Sequence, residues 1–93
     1  MNEQLVKLKT SINNDVISKF DLQVLEELRF VPIDIQNNTL FAVISADSIK
    51  EKVSKLVMDT FRCNTKYYQV SQHEFNDFLV ALVQDMVPTV QAS

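Results

Sequence analysis

The sequence predicts an α+β domain, a small three-stranded sheet with helices packed on it, in the order α-α-β-β-α-β-α. Three observations predict it. Val31, Ile33 and Ile35 alternate with polar or proline positions just before an Asn37-Asn38 turn, and an apolar run follows, which is a hairpin pattern. Two stretches after it carry apolar residues at helical spacing. Between these, Lys66-Tyr67-Tyr68-Gln69-Val70 has the aromatic and β-branched content of a further strand. At 93 residues the chain is long enough for one core and too short for two domains. Residues 1–88 are taken as that domain and 89–93 as a linker.

The first helix spans Met1 to Ile12, with Leu5, Leu8 and Ile12 at one face and lysines between them. Asn13-Asn14-Asp15 interrupts it, and the conformation of Val16, Ile17 and Phe20 is left open. Asp21 is placed to cap a second short helix carrying Leu22, Leu25 and Leu28. In the first strand Pro32 has no N–H to give a ladder, so that strand is expected to have a free edge or to begin there. Leu40 to Ile44 is apolar at every position, the pattern of a strand covered on both faces or central in its sheet. Ser48 with Glu51, and Ser71 with Glu74, read as capping boxes opening two further helices. Ile49, Val53, Leu56, Val57 and Phe61 form the stripe of the first; Phe75, Phe78, Leu79, Leu82, Val83 and Met86 form that of the second, which Pro88 should stop.

Composition excludes several functions. There is no glycine, whereas about 7% is usual, so phosphate-cradling loops of the P-loop or dinucleotide type are absent. A net charge of −3 argues against nucleic acid and anionic membrane surfaces. No apolar run approaches the ~20 residues of a membrane span, and the charged start does not read as a signal peptide. One cysteine, Cys63, leaves no internal disulfide and points to a reducing cytoplasm.

No catalytic, cofactor or metal site is expected. His73, the one histidine, has Glu74 beside it and Asp77 one turn on, but no second histidine or cysteine to complete a metal site, and reads as surface. Cys63 lacks a histidine partner and reads as an inert thiol. Glu26 and Glu27 point about 100° apart on a helix, so they form no acid–base dyad. Tyr67 and Tyr68 could stack on a base, but the plainer reading puts one in the core and one outside.

From Asp21 to Val83 the chain resembles the N-terminal domain of the type II secretion and type IV pilus assembly ATPases, the secretion-E N-terminal family. The resemblance rests on Leu28-Arg29-Phe30-Val31-Pro32-Ile33, on Leu40-Phe41-Ala42-Val43-Ile44-Ser45-Ala46-Asp47, and on Val70-Ser71-Gln72-His73-Glu74-Phe75. The chain departs from the family in having Ala46-Asp47-Ser48 where Asp-Pro is usual, and Arg62-Cys63-Asn64 where glycine is usual. The Arg-Leu-Gly motif that binds cyclic di-GMP in some relatives has no counterpart, so neither that ligand nor ATP is expected to bind.

The resemblance implies a non-catalytic docking domain in the cytoplasm. It would tie a hexameric ATPase, whose motor lies in a separate C-terminal domain, to the cytoplasmic part of an inner-membrane platform protein. A cyclic-dinucleotide sensor using the hairpin and tyrosines, or a free-standing adaptor, are the alternatives. The expected docking element is the first helix, through Leu5, Leu8 and Ile12, flanked by Lys7 and Lys9. Should that helix belong to the core, the hairpin edge near Pro32 takes its place.

Overall fold

The computed structural model describes residues 3–86. Five helices and three strands follow in the order α1 (Glu3–Thr10), α2 (Asn14–Ile17), α3 (Leu22–Leu28), β1 (Phe30–Gln36), β2 (Thr39–Ser45), α4 (Lys50–Phe61), β3 (Asn64–Val70) and α5 (Gln72–Met86). The α+β architecture matches expectation, and the stretch left open after Ile12 contains the short α2. Asn13 caps it by accepting the Asp15 N–H on its side-chain oxygen. Pro88 and residues 89–93 lie outside the described residues, as does the side chain of Met86.

The sheet order is β1-β2-β3, with β1 and β2 antiparallel and β2 and β3 parallel. Asn37 and Asn38 both have positive φ, 52° and 59°, which is how a glycine-free chain closes a two-residue hairpin. Register and alternation sort the side chains onto two faces. One carries Phe30, Pro32, Leu40, Ala42 and Ile44, all buried, continued by Thr65 and Tyr67 on β3. It is covered by α4, whose Ser54 hydroxyl and Lys50 carbonyl both bond the Tyr67 hydroxyl. Phe20 closes the near end, edge-on to Phe30 at 5.3 Å and to Phe61 at 5.8 Å.

The opposite face carries Val31, Val43, Ser45 and Val70, buried, and Phe41, Lys66 and Tyr68, exposed. It is roofed by α5, which packs on β2 and against α1. Of the stripes read from spacing, Val53 and Val57 on α4 and Phe75, Phe78, Leu79 and Leu82 on α5 are buried in the core, whereas Ile49, just before α4, is 48% exposed. Leu56 is only partly buried, on the flank of α4 towards α3.

Two starts differ in kind. The Ser71–Glu74 box forms, with the Glu74 N–H donating to Ser71 Oγ at 3.1 Å and the Ser71 N–H to Glu74 Oε1 at 3.5 Å. The Ser48–Glu51 box does not, because Ser48 Oγ donates to the Arg29 carbonyl and accepts the Ser45 N–H at 2.9 Å. Helix α4 therefore begins one step later, after Ile49, with no side-chain cap. Asp21 likewise precedes α3 without a side-chain cap bond.

Both α3 and α4 end in an arginine in the left-handed region, Arg29 and Arg62, each at φ 59°. A side chain there costs about 1–2 kcal/mol that glycine avoids. Arg62 is exposed, so Arg62→Gly is expected to raise unfolding stability by about 0.5–1 kcal/mol in urea titration. Unchanged or lower stability would show that the Arg62 side chain has an offsetting role.

Candidate interaction surface

The residues expected to dock do not form a free stripe. Leu5 is 0% exposed and belongs to the core cluster, while Leu8 and Ile12 are partly buried against it. The reason lies in the roof of the sheet: α1 packs against α5, and its Leu8 lies over the sheet beside Ile33 and Val43. Pro32 is also buried. Its strand is an edge, as proline demanded, but the edge is occupied: the Asn13 N–H donates to the Ile33 carbonyl at 2.7 Å. Asn13 Nδ2 adds a bond to Asp34 Oδ1 at 3.1 Å, and a register shift between Pro32 and Asp34 bends the strand there. The Asp34 carboxyl is held below the usual carboxylate value by the Asn13 bond first and by the Ile35 N–H second.

What the fold does leave open is the far half of the roofed face. Phe41 is 46% exposed although β2 is the central strand its apolar pattern allows for, and Tyr68, on the neighbouring β3, is 39% exposed. Lys66, the neighbour of Phe41 across the parallel pair, holds its ammonium 5.5 Å from the centre of the Phe41 ring. Leu8, Ile33 and Val43 form the floor where this patch runs under α1, making an apolar groove of about 190 Å³. Lys66 also lines a shallow concavity with Asp34, Gln36 and Thr39 at the hairpin end. The surface is thus apolar in the middle and carries both charge signs at its rim, the anatomy of a protein-binding patch.

A second groove, about 350 Å³, runs between α3 and α4. Val24, Leu28 and Leu56 floor it, and Glu27, Lys52, Lys55 and Asp59 crowd its rim. It presents no large exposed hydrophobic side chain, so it lacks the aromatic anchor that Phe41 gives the open face.

The remaining polar residues serve the fold. Arg29 lies 4.7 Å over the Phe75 ring, and its Nε makes an ion pair with Asp47 Oδ1 at 3.5 Å. Ser45 Oγ donates to Asp47, which holds that carboxyl below its usual value, with Arg29 contributing less. Together with Ser48 these groups tie the end of α3 to the end of β2 and the start of α5. His73 is exposed with Asp77 at 3.4 Å, as its spacing suggested. Cys63 is buried, and burial pushes its thiol pKa up, away from the reactive thiolate. Tyr67 is half-buried and bonded, Tyr68 exposed, the division expected for neighbours on a strand.

Among the described residues no three His, Cys, Asp or Glu side chains are grouped to hold a metal ion. Nor is any described helix long and apolar enough to cross a membrane. No protein-family model, curated protein or solved structure matches the chain.

Neither Phe41 nor Lys66 stood out in the sequence as a site residue. A signal was present: Lys66 and Tyr68 stand two apart on a strand, so they share a face. A lysine there implies that the face is wet beside β2.

Proposed function

We propose that this chain is a non-catalytic docking domain, tying a bacterial secretion or pilus assembly motor to the cytoplasmic part of an inner-membrane platform protein. The observation that carries the docking reading is Phe41, a large apolar side chain left half in solvent on the central strand of the sheet. With Tyr68 and Lys66 around it, it supplies the aromatic anchor and polar surround that interfaces concentrate. The choice of partner comes from the resemblance over Asp21–Val83. The docking element moves from α1 to this patch, because Leu5 holds α1 in the core.

The test is a binding isotherm with the purified cytoplasmic domain of the platform protein from the same genome. Phe41→Glu is expected to weaken binding at least about tenfold, a loss usual for a buried anchor. Its unfolding stability should stay within about 1 kcal/mol, as surface substitutions do. Full-strength binding by this variant, or no binding by the unaltered chain, would overturn the reading.

A further inference from the structure

The two edges of the sheet are treated unequally. That of β1 is guarded by proline, by a register shift and by Asn13 bonded to Ile33. That of β3 has none of these: seven residues, no proline, regular register, and among the described residues no segment paired beyond it. A long regular edge of this kind is a template for another strand.

We propose that the outer edge of β3 pairs antiparallel with β3 of a second copy of this chain, about a two-fold axis through Tyr67, doubling the sheet. It rests on the main chain of the β3 edge, which the docking reading does not use, and shares with that reading only the side chains of Lys66 and Tyr68. Its occupant is chosen by self-complementarity. The Asn64 N–H points inward, to the Asn38 carbonyl, so alternation turns the N–H and C=O of Thr65, Tyr67 and Gln69 outward. An axis through Tyr67 sets Tyr67 against itself and Thr65 against Gln69, and every outward group finds a partner. Shifting the axis to Lys66 or Tyr68 strands one end of the set.

Charge selects the same register. Lys66 is the only charged residue on β3, and the Tyr67 axis sets it opposite Tyr68 of the second copy on the open face. That juxtaposition permits a cation–π contact on each side of the axis. An axis through Lys66 would instead oppose two lysines. Tyr68, exposed on the open face of this strand, is the apolar side chain beside the axis. Pairing withdraws it from water, and the two Phe41 patches then lie on one continuous face.

The test is sedimentation equilibrium from micromolar to millimolar chain, with amide exchange read at each concentration. The unaltered chain is expected to dimerise, with protection at Thr65, Tyr67 and Gln69 rising as dimer forms. Gln69→Pro removes an outward N–H without touching the internal ladder, and Tyr68→Lys opposes lysine to Lys66. Each should weaken dimerisation at least about tenfold with the circular dichroism unchanged. Tyr68→Glu should associate more tightly than Tyr68→Lys. A chain that stays monomeric at millimolar concentration would overturn the proposal. So would a dimer indifferent to both weakening variants, or protection of the three amides that does not depend on concentration.

Discussion

Phe78→Ala is expected to destabilise the domain by about 3–5 kcal/mol, because the ring is fully buried in mid-α5 against the sheet. Small domains have roughly 5–15 kcal/mol in total, so this is a large share of the stability. It should lower the melting temperature by more than about 10 °C. Leu56→Ala, at an equivalent place in its own helical stripe, should cost only about 1 kcal/mol, since Leu56 faces the open α3–α4 groove. Equal losses at the two sites in urea titration would mean that α4 is rotated from the orientation described.

Leu5→Ser is the second large effect. Leu5 is buried on the terminal helix, and serine there leaves a cavity and a hydroxyl in apolar surroundings. A loss of about 2–4 kcal/mol is expected, limited by how far α1 can detach while the rest stays folded. Val6→Ser, one residue along and 46% exposed, should change stability by less than about 0.5 kcal/mol. Two neutral substitutions would return α1 to the role of a presented helix; a large loss at Leu5 alone places it in the roof.

Most elements were legible because their periodicities differ sharply. The alternation of Val31, Ile33 and Ile35, the paired asparagines and the α5 stripe each specify one local structure. What could not be read was which elements share a roof. An all-apolar strand such as Leu40–Ile44 states that the strand is covered or central, and β2 is central; it does not state how far the covering helices reach, so the exposure of Phe41 was not legible. Likewise the spacing of Leu5 and Leu8 fixes a helix face and leaves its partner open. Ser48 shows the same limit at shorter range: its box with Glu51 is well formed in sequence, yet the Arg29 carbonyl, distant along the chain, captures the hydroxyl. The site suffered most, because its residues come from three elements, β1, β2 and β3, with α1 setting the boundary.

The most direct test of docking through the open sheet face is an amide NMR titration with the proposed partner, the cytoplasmic domain of a platform protein. Shifts should concentrate at Phe41, Lys66 and Tyr68 and at the adjoining Ile33 and Leu8, leaving the α3–α4 groove unmoved. Shifts confined to that groove, or none at saturating partner, would contradict it.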